Sequence, residues 1–452
     1  MNVSVRKNNL SGNITVPGSK SHTIRALLLA CLAEGTSTIR NPLPSADCLS
    51  TASVIPLIGG NVDLCLSEEG EPGTKWIVNG AGKNIHLPSD IVNVGNSGSL
   101  LYFLAPLCST FSGWTIFTGD DSIKKRPVTH MADAINQLGG FSETSNPSHN
   151  GCPLLVKGPI TSGTVKTSGE VSSQYISGLM MSAIRVDGSI KIELSNPKET
   201  PYLTMTKTWL EKVGVKTEIS DDFKEIKVTG PKELKAFDTT IPSDWEGVAF
   251  PLISAILTDS DITIKNVDGS GTQGDDKIVE ILQSIGADIE WNKKKSTLRV
   301  RGGKCARNGH GKLSTLSLPE KTLHVKMSSF PDAICALAVV SCFTEGTIIL
   351  EDAEVCRRKE TDRLKVLNIE LSKLGAKIEE KEDSLTIYGG QKLKGGTVES
   401  YDDHRMAMAL SCLGLALDKD EQLVIQNAEC CKVSFPHYFE IMNSELGANF
   451  TY

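Results

Sequence analysis

The densest polar segment of this chain is Arg357-Arg358-Lys359-Glu360-Thr361-Asp362-Arg363. It lies between an apolar strand pattern and an amphipathic helix pattern, so Lys359, Glu360 and Arg363 could share one region. A carboxylate flanked by cations has a lowered pKa unless burial opposes it. Such a group can move a proton while its neighbours hold an anion. The plainer reading is a solvated helix start carrying exchangeable salt bridges. Cations also stand beside other helix starts. Lys20 and Arg25 flank Ser19-Lys20-Ser21, Arg405 follows Asp402-Asp403, and Arg126 precedes Pro127. N-capping explains the Ser and Asp residues but not the cations, which oppose the helix dipole. An anion bound at the free backbone N–H groups would make them favourable. For one such residue a surface charge is the simpler account; for several at equivalent places, anion binding is.

Other chemistries find no support. Asn79-Gly-Ala-Gly-Lys83 resembles the tail of a phosphate loop, but position 77 is Ile and position 84 is Asn, so the G-x-x-x-x-G-K-[ST] template fails. His22, His130 and His437 have no partner at ligand spacing and read as structural or exposed. No G-x-S-x-G or H-E-x-x-H occurs. The twelve cysteines include no C-x-x-C pair, and adjacent Cys430-Cys431 is poor metal geometry. Cys31, Cys335, Cys342 and Cys412 sit in apolar helical runs as small buried hydrophobes.

These residues are carried by a plan that recurs six times. Each copy opens with a polar or acidic helix start, continues as a small-residue apolar helix, and turns into a Thr/Ile-rich strand. The openings are Ser19-Lys20-Ser21, Asn96-Ser97, Ser172-Ser173, Ser243-Asp244, Ser329-Phe330-Pro331-Asp332 and Asp402-Asp403. The strands contain Ile39, Ile116, Ile190, Ile262, Ile348 and Val424. A second, amphipathic helix in each copy ends on Gly59, Gly139, Gly214, Gly286, Gly375 or Gly447, as a left-handed helix cap requires. The repeat is far longer than common solenoid periods, so each copy reads as a small βα subdomain. First helices that are apolar nearly all round must be buried, which gives an α/β fold with helices packed on sheets. Three copies per lobe give two lobes, residues 1–18 with 243–452 and residues 19–242. The crossings fall at Val16-Pro17-Gly18 and Ile241-Pro242-Ser243.

The net charge of −7 over 452 residues argues against a nucleic-acid protein, so an anionic ligand needs a local basic cluster. The first residues form no apolar leader, and no run reaches membrane-spanning length. The expected location is the cytoplasm. Asn292-Lys-Lys-Lys-Ser296 reads as a solvated hairpin tip.

Seven segments together resemble the 5-enolpyruvylshikimate-3-phosphate synthase family over the whole chain. They are Pro17-Gly-Ser-Lys-Ser21 with Arg25, Gly95-Asn-Ser-Gly98, Lys125-Arg-Pro127, Val171-Ser-Ser-Gln174, Pro331-Asp332, Arg358-Lys-Glu-Thr-Asp-Arg363 and Asp403-His-Arg-Met-Ala-Met408. The resemblance implies a two-lobed inside-out α/β barrel of six βαβαββ repeats, three per lobe, with the substrate cleft between the lobes. It implies transfer of the enolpyruvyl group of phosphoenolpyruvate to the 5-hydroxyl of shikimate 3-phosphate, with release of phosphate, on the way to chorismate and the aromatic amino acids. By similarity Lys20, Gly98, Arg126, Gln174, Arg363, Arg405 and Lys432 hold phosphoenolpyruvate. Ser21, Arg25, Ser172, Ser173, Gln174, Asp332 and Lys359 hold shikimate 3-phosphate. Asp332 takes the hydroxyl proton, while Glu360 and Lys20 handle protons at the enolpyruvyl carbons. The implied enzyme needs no metal or organic cofactor, works as a monomer on two small molecules without nucleic acid or membrane, and is a glyphosate target.

Five positions depart from the family pattern. Ile24 replaces a usual Asn, Tyr102 an Arg, Glu199 a common Ser and Val355 a common Asn, and Lys432 lies one residue out of register. A carboxylate facing a phosphate would repel it, so Glu199 either points away or the acceptor differs. Loops tolerate such variation, and the standard acceptor is the expectation. The alternatives are a paralogue with another hydroxyl acceptor and a catalytically silent anion-binding paralogue. A UDP-amino-sugar transferase needs a reactive Cys before the Arg-Pro, and Gly119-Asp-Asp-Ser-Ile-Lys-Lys-Arg126 has none.

Overall fold

A computed structural model of the chain describes residues 1–146 and 148–452. The chain divides into two compact units, Met1–Pro17 with Ser243–Tyr452, and Gly18–Pro242. The first break comes one residue before the expected boundary at residue 18. Gly18 packs within its own unit so closely that a Cβ would lie 2.1 Å from the Asn41 carbonyl oxygen. Only glycine fits there.

Twelve α-helices run through the described residues. In the unit Gly18–Pro242 they are α1 (Lys20–Leu32), α2 (Ala46–Val54), α3 (Gly98–Cys108), α4 (Thr129–Gln137), α5 (Ser173–Ser182) and α6 (Thr200–Lys212). In the other unit they are α7 (Trp245–Leu257), α8 (Ile278–Ser284), α9 (Ile334–Phe343), α10 (Arg363–Lys373), α11 (His404–Ala416) and α12 (Tyr438–Leu446). The odd-numbered helices are the apolar ones. Every residue of α3 is buried, as are nearly all of α1, α5, α7, α9 and α11. The even-numbered helices keep a polar face toward solvent. All six expected cap glycines have a left-handed backbone, with φ from 69° at Gly447 to 102° at Gly286. An L-residue in that conformation would push its Cβ against the neighbouring backbone.

Each unit contains three small sheets with a shared wiring. The strand after a buried helix pairs in parallel with one strand and antiparallel with another. Thus Gly188–Ser195 runs parallel to Gly163–Ser168 and antiparallel to Glu225–Gly230, which pairs with Lys216–Ile219. Asp261–Lys265 and Thr347–Glu351 repeat this with their own partners. Where the two parallel strands flank a buried helix directly in sequence, that helix is the crossover such a pair requires.

Two of the parallel partners come from far along the chain. Asp261–Lys265, which follows α7, pairs with Ser11–Thr15; Ala33–Arg40, which follows α1, pairs with Asp238–Thr240. The strand that prepares each helix is therefore remote in sequence. The chain ends are stitched the same way, because Val3–Arg6 closes the sheet of Gln422–Gln426. Each unit has its own hydrophobic core. A fully buried Leu or Ile contributes about 1.5–3 kcal/mol, so these all-apolar helices anchor the polar residues at their starts. No helix among the described residues is long and apolar enough to cross a membrane.

Candidate active site

Four of the six helix starts are closed by a side-chain cap. Ser97 accepts from the Leu100 N–H, Ser172 from Gln174, Asp244 from Glu246 and Asp403 from Arg405. Ser19 and Asp332, at the other two, make no such cap. Capping was the plain explanation for all six, and at Asp332 the carboxylate is engaged by cations instead.

Asp332 lies in the short 3-10 turn Pro331–Ala333 that leads into α9. Its Oδ1 accepts from Arg363 Nη1 at 2.6 Å and from Arg405 Nε at 3.1 Å, and Lys359 Nζ approaches Oδ2 at 3.4 Å. Arg363, with no exposed surface, also donates to Glu360 at 2.7 Å and to Asp403 at 2.8 and 3.2 Å. Asp403 in turn accepts from the Thr361 hydroxyl at 3.1 Å while capping α11 at 2.9 Å. One guanidinium thus binds three carboxylates, and the cap of one helix fixes its angle. Bidentate contacts of this kind are among the stronger hydrogen bonds. Burial pushes the Asp332 carboxyl up, but the charges of Lys359 and Arg363 outweigh it and hold the carboxyl below its ordinary value. Burial works against the Arg363 charge, yet Asp403, Glu360 and Asp332 raise its pKa well above the usual range.

The seven-residue polar segment divides by task. Arg357 donates to Asp362 and to the carbonyls of Lys381 and Glu382, and Asp362 caps α10 through the Lys365 N–H. Arg358 pairs with Glu354 at the surface. The remaining three charged residues, Lys359, Glu360 and Arg363, face Asp332 or share its cations. Lys432 is exposed, next to Cys431, whose thiol meets the His404 carbonyl at the start of α11. Val355 is buried in the turn before the segment.

In the unit Gly18–Pro242 the site residues gather at the starts of α1, α3 and α5. Lys20 pairs with buried Asp47 at 3.3 Å. Gly98 lies against Arg126: a Cβ there would stand 2.4 Å from Arg126 Nη1. Gln174 Nε2 donates to Ser99 at 3.0 Å, joining α5 to the first turn of α3. The two helices pack tightly, since a Cβ on Gly178 would stand 2.1 Å from the Tyr102 carbonyl. Tyr102 donates its hydroxyl to the Pro127 carbonyl at 2.8 Å, supporting the Arg126-Pro127 turn. Burial raises its phenol pKa to about 12.

Arg25 is turned into the protein. It donates to Thr206 at 2.9 Å, to the carbonyls of Ser21 and Tyr202 at 2.9 and 3.3 Å, and to Ser177 at 3.4 Å, with Phe103 4.7 Å away. Burial lowers its pKa to about 9. Ile24 beside it is fully buried. Glu199, with a left-handed backbone at φ 50°, points inward and accepts from both the Ser173 N–H and hydroxyl at 3.0 Å. That backbone costs a non-glycine residue on the order of 1 kcal/mol.

Three participants escape the sequence reading. Glu246, in the first turn of α7, forms an ion pair with Arg405, although no cation stands beside the Ser243-Asp244 start in the sequence. Its signal was an acid in an otherwise apolar helix. Asp47, the partner of Lys20, showed only as an acid in a first helical turn. Asp403 was visible as a cap but not as the third carboxylate on Arg363. His22, by contrast, is structural as expected, accepting from the Trp209 indole at 2.9 Å.

The family model for EPSP synthase (3-phosphoshikimate 1-carboxyvinyltransferase) matches residues 5–442. The 3-phosphoshikimate 1-carboxyvinyltransferase of Ruminiclostridium cellulolyticum is 35% identical over 444 residues, covering 98% of each chain. The protein of that name from Methanococcus maripaludis strain C7 is 37% identical over 445 residues, covering 97% of each. The fold is also that of the EPSP synthase structure from Acinetobacter baumannii, with a TM-score of 0.81 at 24% identity over 100% of this chain and 99% of that one.

Proposed function

The chain belongs to the EPSP synthase family, and we propose that it transfers the enolpyruvyl group of phosphoenolpyruvate to the 5-hydroxyl of shikimate 3-phosphate, releasing phosphate. The observation that carries this reading is Asp332, a carboxylate ringed by Arg363, Arg405 and Lys359, with Glu360 on the same guanidinium. Addition of the hydroxyl oxygen to C2 of the enol requires a base for its proton and an acid for C3. Elimination then takes a proton from C3 as the C2–O bond to phosphate breaks. Two carboxylates in different surroundings suit that division.

Asp332 takes the hydroxyl proton. With its pKa depressed it is ionised at neutral pH, and it becomes a stronger base when the donor's negative charges draw Arg363 and Arg405 toward themselves. Glu360 and Lys20 move the protons at the enolpyruvyl carbons. Lys20, Arg126, Gln174, Arg363, Arg405, Lys432 and the Gly98 backbone hold phosphoenolpyruvate. Ser21, Arg25, Ser172, Ser173, Gln174, Asp332 and Lys359 hold the acceptor, and Arg25 also braces α1 against α5 and α6. Cations offset the repulsion between two polyanions and bring them within attacking distance. The reading puts the enzyme in the cytoplasm as a monomer; its twelve free thiols suit a reducing compartment.

Product analysis tests this. Phosphorus and proton NMR of the chain with both substrates should show inorganic phosphate and a vinyl ether appearing together. Consumption of neither substrate refutes the reading.

A further inference from the structure

The N-terminus of α5 already carries an anion. The Ser173 N–H and hydroxyl both bond to Glu199 Oε2 at 3.0 Å, and the Gln174 N–H is taken by the Ser172 hydroxyl at 3.1 Å. Glu199 is only 4% exposed, so this is an interior contact. A helix start is where a free anion would bind, because its N–H groups lack intrahelical partners. A second observation concerns charge. Arg25 is 1% exposed, and its bonds go to two hydroxyls and two carbonyls, one of them that of Tyr202 on the first turn of α6 just after Glu199. Among the described residues it makes no ion pair. The region thus holds a buried cation without a carboxylate partner, beside donors occupied by a carboxylate.

We propose that Glu199 is a specificity-determining residue of the acceptor site, an internal anion on the Ser173 donors, next to Ser172, that the acceptor's phosphate must displace. The inference rests on the assignment of those serines to the acceptor. Two anions cannot share the Ser173 donors without strong repulsion. The carboxylate must swing away before a phosphate can settle, and shikimate 3-phosphate binds more weakly than the remaining contacts would allow. An acceptor without the phosphate does not meet this competition. Glu199 therefore narrows the preference for the phosphorylated over the unphosphorylated acceptor.

The test compares wild type with Glu199→Gln, which keeps an oxygen for Ser173 but loses the charge, and with Glu199→Ser, which withdraws the side chain. Calorimetric Kd values are measured for shikimate 3-phosphate and for shikimate, alongside the KM for phosphoenolpyruvate. Both variants should bind shikimate 3-phosphate about tenfold or more tightly, the equivalent of one pK unit of like-charge interaction. Shikimate affinity and the KM for phosphoenolpyruvate should move by less than about twofold, a split that loosened packing would not produce. Unchanged or weaker binding of shikimate 3-phosphate in both variants overturns the proposal, as does equal tightening of shikimate. If neither wild type nor variants bind shikimate 3-phosphate, the acceptor assignment falls and this inference falls with it.

Discussion

Replacing Arg363 by Met removes the one cation that binds Asp332, Glu360 and Asp403 together. Four charge-assisted bonds are lost, at 2.6, 2.7, 2.8 and 3.2 Å. At about 1.5–3 kcal/mol each they would sum to roughly 6–12 kcal/mol if nothing replaced them. Some partners remain. Asp332 keeps Arg405 and Lys359, and Asp403 keeps the Thr361 hydroxyl and the Arg405 N–H. The expected loss of stability at neutral pH is therefore the about 3–5 kcal/mol typical of a buried ion pair broken from one side. The loss should depend on pH. In the wild type the Asp332 pKa lies below its ordinary 3.8. Its stabilisation is thus complete above that value and is lost as pH falls through the folded-state pKa. Without Arg363, burial dominates and the carboxyl pKa rises. Ionised, it then weighs against the folded state, and protonation relieves it. The gap between wild type and variant should narrow between pH 7 and about 4.5. Urea unfolding at both pH values measures it, and Arg363→Lys, which keeps the charge but not the fork, should fall between the two. A gap under about 1 kcal/mol at pH 7, or one that widens on acidification, refutes the reasoning.

Other perturbations test the remaining groups. Lys20→Met should cut turnover about 100-fold or more, and steady-state rates near those of wild type would remove Lys20 from the chemistry. Gly98→Ala forces Arg126 aside, because its Cβ would stand 2.4 Å from Nη1. The KM for phosphoenolpyruvate should rise about tenfold with a smaller change in kcat. Glu246→Gln should lower that KM several-fold by removing a carboxylate that competes for Arg405; a raised KM would show that Glu246 orients Arg405 for the donor instead.

The elements most legible in the sequence were those set by local chemistry. The six cap glycines announce themselves because a left-handed turn strongly favours glycine, and the buried helices do so because they are apolar nearly all round. Long-range pairings were not legible. Nothing near Ser11–Thr15 indicates that it prepares the sheet beside α7, or near Val3–Arg6 that it closes the last one, since strand pairing carries no local signature at such separations. The site divides the same way. Lys359, Glu360 and Arg363 stood out because they are charged and fall within one seven-residue polar run. Asp47 and Glu246 did not, because their ion-pair partners lie far away in sequence. Glu199 was visible as a departure, but the direction of its side chain depends on a left-handed backbone that a glutamate does not advertise.

If the cations and carboxylates around Asp332 serve transfer from phosphoenolpyruvate to shikimate 3-phosphate, phosphate release must depend on both the acceptor and Asp332. The most direct measurement is the initial rate of phosphate release from phosphoenolpyruvate as shikimate 3-phosphate is titrated in, for wild type and for Asp332→Asn. Release should saturate with shikimate 3-phosphate and fall at least about 100-fold in the variant. Release that ignores shikimate 3-phosphate, or that survives the loss of Asp332, would contradict it.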